Sequence, residues 1–322
     1  MNDLNIYDEI PFSNINSNVY MLFVSEYIEK YELLSQNDFY TFKMEFKYLT
    51  KELHKSLENM TKLLNILQPI PYFLLNKTFQ HLQVKDINVI SKKLPFSNQN
   101  LKANYIYQTI NENLLEYIAS NDPDYESVSD FLQMIWECKI TLIVRIKELY
   151  ETQNDTCEYW PPNLESNNYC NQSSCYKIKT QNESISNNII IRKLLIQNVK
   201  YEETRIIVQI EISIDTKLNE NTASTFDSLL LEIQEVKSIK DRSHRILFHA
   251  RENNLHHCAV LICLDQIITS VEAGISEFNV YETVLRICQS RSMLIKNENQ
   301  YINIYQSVYR FLKSKFSTLQ SA

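Results

Sequence analysis

The sequence predicts an α+β protein, on three observations. Residues 18–33 and 40–67 repeat apolar side chains at spacings of three and four, with Phe42, Phe46, Leu49, Leu53, Leu57 and Met60 marking one face of the second stretch. Three later runs, Cys175–Thr180, Asn188–Ile196 and Arg205–Ile214, are rich in β-branched and aliphatic residues and read as antiparallel strands. Two short apolar runs, Ile140–Ile146 and Arg245–Phe248, read as buried strands.

Taken in order, residues 1–17 are polar and expected to be loose. The two helical stretches follow. Gln68-Pro69-Ile70-Pro71 ends the second, because proline lacks the N–H a helix needs and clashes with the preceding turn. Residues 72–128 mix short apolar runs with turn signals and define no element. Ser129–Glu137 reads as a helix, with Ser127 or Ser129 as its cap. Residues 162–173 read as loop. Residues 223–238 read as a helix with Phe226, Leu229, Leu230 and Ile233 on one face. Leu255–Val271, Val280–Ser290 and residues from about 298 to 314 complete the helices. No internal repeat or low-complexity tract stands out. The expected organisation is a helical N-terminal extension over 1–70 packed on a core domain over 71–315, then a tail over 316–322.

Composition narrows the class. With 322 residues, 44% hydrophobic and 22% charged, the chain can bury a substantial core. A net charge of −7 argues against nucleic acid, which needs a basic face. No run of about 18 apolar residues appears, so no membrane span is expected. The N-terminus lacks the basic and apolar blocks of a secretory signal, and Asn2 stands where myristoylation requires glycine. Seven cysteines, an odd number without a signal peptide, read as reduced thiols of a cytosolic or nuclear protein. Cys170 and Cys175 are expected to be ordinary loop or strand thiols. Gly274 is the only glycine, so positions needing positive φ are expected to fall mostly to Asn or Asp. The abundance of Asn, Ile, Lys and Tyr suggests an AT-rich genome.

The most specific motifs surround the two tryptophans. Val128-Ser-Asp-Phe-Leu-Gln-Met-Ile-Trp-Glu137 and Cys157-Glu-Tyr-Trp-Pro161 resemble the "TVxDFWxMVWE … CxxYWP" core of protein tyrosine phosphatases. Leu101–Ile106 resembles that family's "INANYI", and Tyr117–Pro123 its "YIATQGP". Val280–Val284, Gln300, Tyr301 and Ile304 resemble its C-terminal helices. The order and spacing of these pieces carry the match over most of residues 75–313. The resemblance implies the tyrosine phosphatase fold, a twisted mixed, largely antiparallel sheet flanked by helices. The composition and the altered reaction centre also resemble tyrosine-phosphatase-like proteins encoded by polydnaviruses (the bracovirus type) of parasitoid wasps. That points to the cytoplasm, a host cell's if the gene is viral.

The family carries its chemistry on a His-Cys-x5-Arg loop, and the matching residues here run His249-Ala250-Arg251-Glu252-Asn253-Asn254-Leu255-His256. Ala250 stands at the nucleophilic cysteine, so no phosphocysteine intermediate can form there. His256 stands at the arginine that grips phosphate through two parallel hydrogen bonds. Arg251 offers charge, Glu252 opposes an anion, and Leu255 replaces a glycine of the loop's backbone cradle. Asp215 matches the general acid, without the tryptophan and proline beside it. Lys296 falls where a water-positioning glutamine is expected. Phe79 matches the tyrosine that stacks on phosphotyrosine, and His81 the aspartate that orients the peptide. His249, His256, His257 and Cys258 fit no standard zinc spacing, so neither metal nor cofactor is expected. The expectation is a catalytically inactive relative that binds partner proteins, tyrosine-phosphorylated ones among them. A residual phosphatase and a decayed copy without function are the alternatives, and oligomeric state is left open.

Overall fold

The computed structural model describes residues 17–66, 102–110, 113–149, 157–162, 165–170, 175–186, 188–214, 221–238, 245–273, 279–291 and 294–320. Two helices open the chain, α1 (Ser17–Leu34) and α2 (Tyr40–Ile66). The hairpin β1 (Ala103–Ile110) and β2 (Asn113–Asn121) precedes α3 (Val128–Glu137) and β3 (Leu142–Glu148). An antiparallel meander follows: β4 (Ser166–Cys170), β5 (Cys175–Ser186), β6 (Ile189–Asn198) and β7 (Glu203–Ile214). Then come α4 (Asn221–Ser238), β8 (Arg245–Ala250), a 3-10 turn (Glu252–Asn254), α5 (Leu255–Glu272), α6 (Val280–Ser290) and α7 (Glu298–Gln320).

The strands form one eight-stranded sheet in the order β1-β2-β8-β3-β7-β6-β5-β4. Its centre, β2-β8-β3-β7, is parallel, and the outer pairs are antiparallel. Period-two alternation sorts the central strands' side chains. Leu142, Val144, Ile146, Ile210, Ile212, Ile246, Phe248 and Ala250 point to one face, where α4, α5, α6 and α7 contribute the larger core. Ile143, Leu247, Ile207, Leu194 and Ile196 point to the other, against α3, Tyr159 and Trp160. Each fully buried aliphatic side chain contributes about 1.5–3 kcal/mol by leaving water.

Helix α5 is the centrepiece of the larger core. The stretch Glu252–Glu272 is long and apolar enough to cross a membrane by length and composition, and 83% of its most apolar window is buried inside the domain. Asp265 and Gln266 interrupt it, both buried. Asp265 is matched there by Lys237 Nζ at 3.0 Å, the Tyr117 hydroxyl at 2.7 Å and Gln234 Nε2 at 2.9 Å. The N-terminal helices dock on α7 through a ladder of tyrosines at every fourth position. Tyr301 packs on Phe46, Tyr305 on Phe42 and Tyr309 on Tyr31, the last with ring centroids 4.3 Å apart. The Tyr305 hydroxyl donates to Glu45 at 2.9 Å and the Tyr309 hydroxyl to Glu32 at 2.6 Å.

Several expectations need correction. Residues 103–121 form the β1–β2 hairpin, although the mixed pattern defined no element there. Residues 166–170, expected to be loop, form the edge strand β4, whose exposed side chains give no apolar alternation. Cys170 and Cys175 are disulfide-bonded, because β4 and β5 pair antiparallel and set the two directly opposite, Cα atoms 4.0 Å apart. The remaining five cysteines are free and buried. Ser127 occupies the cap position of α3 without bonding a helix N–H. Its hydroxyl donates to Asp124, whose Oδ1 also accepts from the Glu126 and Ser127 backbones. Positive φ falls on Asn37 and Asp38 as expected, but also on Phe39, Lys139 and Glu202 among the described residues. Helix boundaries differ little, α7 running past the expected 314 to Gln320.

Candidate functional site

The turn from β8 into α5 lies at the carboxyl ends of the parallel strands, where open α/β sheets place their ligands. His249, the penultimate residue of β8, points away from the larger core and is fully buried. Its Nδ1 lies 2.7 Å from Asp122 Oδ1 and its Nε2 3.2 Å from the Tyr159 hydroxyl. A carboxylate accepts only, so the imidazole carries its proton on Nδ1.

Those contacts belong to a closed ring of buried polar side chains. Asp122 Oδ2 accepts from Arg145 at 2.8 Å, and Arg145 donates to Glu211 at 3.0 Å. Glu211 lies 3.6 Å from Arg192, which donates to Gln209 at 3.4 Å. Gln209 donates to the Tyr159 hydroxyl at 3.0 Å, which closes the ring at His249. Register explains the assembly: Arg145 is the cross-strand partner of both His249 and Glu211. Both guanidinium groups lie over the Trp160 ring, that of Arg145 5.3 Å and that of Arg192 4.9 Å from its centroid. Burial pushes the Asp122 carboxyl up, but the His249 hydrogen bond and the Arg145 charge outweigh it and hold its pKa at about 2.

Beyond His249 the loop turns outward. Ala250 is fully buried in the larger core, and its carbonyl accepts the Asp122 N–H at 2.8 Å. Arg251 is extended and half-buried. Glu252 is exposed and bound by Lys102 Nζ at 3.2 Å and Asn121 Nδ2 at 3.4 Å, and Lys102 holds its carboxyl below the usual range. Arg291 braces the same corner through Asn121 Oδ1 at 2.8 Å. Asn254 is buried and its N–H bonds the Arg251 carbonyl at 2.8 Å. Leu255 is buried as the first residue of α5. His256 Nδ1 donates to the Asn253 carbonyl at 3.0 Å. Burial lowers the His256 pKa, and the charge of exposed Lys296 lowers it further, so its ring is neutral at pH 7. His257 lies against His256 with the rings tilted, centroids 3.9 Å apart, and meets Phe226 edge-on. Cys258 is fully buried, and burial pushes its thiol far above the ordinary range.

The structure therefore brings together His249, Ala250, Arg251, Glu252, Asn253, Asn254, Leu255, His256 and Lys296. Asp215, Phe79 and His81 lie outside the described residues. Among the described residues no three His, Cys, Asp or Glu side chains converge as a metal site. Sequence reasoning missed the ring of Asp122, Arg145, Tyr159, Arg192, Gln209 and Glu211. A signal existed: Arg145 and Arg192 interrupt apolar strands, and Gln209 and Glu211 recur at period two within β7.

A parallel-centred sheet with this strand-to-helix turn defines a class, and the comparison with known families agrees. Residues 78–310 match the protein-tyrosine phosphatase family model, so the chain belongs to that family. Among individual relatives, human receptor-type tyrosine-protein phosphatase-like N is 25% identical over 187 residues, covering 58% of this chain and 18% of that protein. Human tyrosine-protein phosphatase non-receptor type 13 is 24% identical over 262 residues, covering 79% of this chain and 10% of that protein. The chain thus spans less than a fifth of either relative's length. The solved structure of PTPN18 in complex with HER2-pY1196 phosphor-peptides has a TM-score of 0.68 at 16% identity, covering 90% of this chain and 99% of that one. At that identity the likeness establishes the fold.

Proposed function

We propose that this chain is a pseudophosphatase, which keeps the tyrosine phosphatase fold, does not hydrolyse phosphotyrosine and acts by binding partner proteins. Ala250 carries the reading. It takes the motif position of the nucleophilic cysteine, and a methyl group cannot attack phosphorus. The nearest thiol in sequence, Cys258, is buried within α5 and its pKa is raised by that burial, so it supplies no reactive thiolate.

The same loop offers phosphate little. A bidentate arginine contact is worth roughly 1.5–3 kcal/mol, about ten- to a hundredfold in affinity. His256, at the arginine position, brings no positive charge at neutral pH. The Asn254 N–H is taken by the Arg251 carbonyl, and Glu252 adds a carboxylate beside the cradle. These features favour partners recognised mainly through surfaces other than the loop, with tyrosine-phosphorylated proteins as a subset. The proposed place of action is the cytoplasm, a host cell's on the resemblance to polydnavirus proteins.

The test is a turnover assay on phosphotyrosine peptides alongside calorimetric titration with phosphorylated and unphosphorylated versions. The expected result is no turnover and no affinity gain from the phosphate. Hydrolysis that stays with the protein through purification and disappears in His256→Ala would sink the proposal. Binding without turnover that depends on the phosphate would recast the protein as a phosphotyrosine trap.

A further inference from the structure

Helix α2 presents a face that the β8–α5 loop does not use. Lys43, Lys47, Lys51 and Lys55 recur at every fourth residue. Lys43 is held by Asp38 at 2.5 Å. Lys47, Lys51 and Lys55 are exposed. The two glutamates within Tyr40–Lys55 turn elsewhere: Glu45 accepts the Tyr305 hydroxyl at 2.9 Å and Glu52 the Tyr281 hydroxyl at 2.6 Å. Tyr40 and Tyr48 are 62% and 63% exposed, and Leu33, at the adjoining end of α1, is 64% exposed.

At 100° per residue, Lys47, Lys51, Lys55, Tyr40 and Tyr48 fall within an arc of about 100°, and the three lysines span about 12 Å along the axis. The opposite face, Phe42, Phe46 and Leu49, is locked into the core, so the arc cannot turn inward. A basic, aromatic strip thus stands out from a chain of net charge −7.

We propose that this face of α2 docks on an anionic lipid surface. The lysines would meet headgroup charge, and Tyr40, Tyr48 and Leu33 would enter the interfacial layer that aromatic side chains favour. The strip is the outer side of a single helix, a convex line. It suits a plane better than an extended peptide or a nucleic-acid strand, each of which is held in a groove. The inference is independent of whether the loop retains catalysis.

The experiment is sedimentation of the full chain with phosphatidylcholine vesicles, with and without phosphatidylserine, across a salt series. Arms with an acidic peptide and a single-stranded oligonucleotide run beside it. The expected result is phosphatidylserine-dependent, salt-sensitive binding that falls about fivefold per lysine in the Lys47→Gln, Lys51→Gln, Lys55→Gln series. It should be unchanged in Lys177→Gln/Lys179→Gln on β5, whose side chains are exposed far along the sheet. Tyr48→Ser should weaken vesicle binding without changing its salt slope. Circular dichroism and melting temperature confirm that each variant folds. No phosphatidylserine dependence, equal loss in both lysine sets, or binding only to the peptide or oligonucleotide overturns the proposal.

Discussion

Single residues in this molecule hold conformations and charges that their surroundings enforce. Lys139 follows α3 at φ 53°, with its N–H bonded to the Trp136 carbonyl and the Ile140 N–H to the Ile135 carbonyl. That pattern closes a helix end where glycine is the usual occupant. Lys139→Gly should stabilise the protein by about 1 kcal/mol in urea unfolding, since a left-handed residue with a Cβ costs that much. Asp122 titrates at about 2 when folded, against an ordinary 3.8. The unfolded chain therefore takes up the proton first as pH falls. The stability of this pair is complete above about pH 4 and is lost towards pH 2, roughly 2 kcal/mol in all. His257 shows the same acid-side loss over a different window. Burial lowers its pKa from 6.5 to about 3, so stability drains as pH falls from 6.5 towards 3. His257→Leu should flatten stability against pH across that window, and Asp122→Asn should flatten it only below pH 4. Loop residues act together: Ala250→Cys with His256→Arg supplies the thiol and guanidinium but leaves Glu252 in place and the Asn254 N–H turned away. That double variant is expected to stay inactive on phosphotyrosine peptides, and turnover would show that only side-chain chemistry is missing.

Among the elements, α7 explains how the N-terminal helices stay attached. Tyr301, Tyr305 and Tyr309 lie one turn apart, and each presents a ring to α1 or α2. Glu45 is half-buried beneath them, and burial raises its pKa although Tyr305 and Tyr301 hydrogen-bond it. Removing the Tyr305 hydroxyl leaves that carboxylate short of a donor. Tyr305→Phe should cost about 1–3 kcal/mol, and amide exchange should rise in α1 and α2 before it rises in the sheet. Uniform exchange across the molecule would instead mean that the extension and core unfold as one unit. Helix α5 was legible as a helix, but its isolated Asp265 makes sense only beside Lys237, Tyr117 and Gln234, contributed by α4 and β2. The β4 strand was illegible because an edge of four exposed polar or small residues and one half-buried tyrosine lacks the alternation that betrays a half-buried strand.

Across the whole molecule, the buried ring under the β8–α5 turn unites the four strands β3, β6, β7 and β8 with Asp122, just past β2, and the Tyr159-Trp160 segment. Taking one charge from such a set strands its partner in a low-dielectric interior, which costs about 3–5 kcal/mol. Arg145→Leu should therefore destabilise far more than loss of a surface ion pair. If unfolding shows no loss, the ring is solvated and does not bind the sheet together. Asp122 stands where the family's motif, read as "YIATQGP", has glycine, and it supplies the carboxylate that both His249 and Arg145 bind. At this position the chain departs from the motif it resembles.

The sequence by itself determined the helices, the buried strands β3 and β8, the meander of β5 to β7 and the family, because periodicity and ordered motifs are local properties of a chain. It also placed Ala250 at the end of β8 and His256 at the head of α5, which is a matter of spacing. Tertiary structure alone decided which polar residues meet. Arg145, Glu211 and His249 become neighbours through strand register, and Cys170 meets Cys175 through an antiparallel pairing with no apolar signature. Register is set by contacts between segments far apart in the chain, and no single segment encodes it.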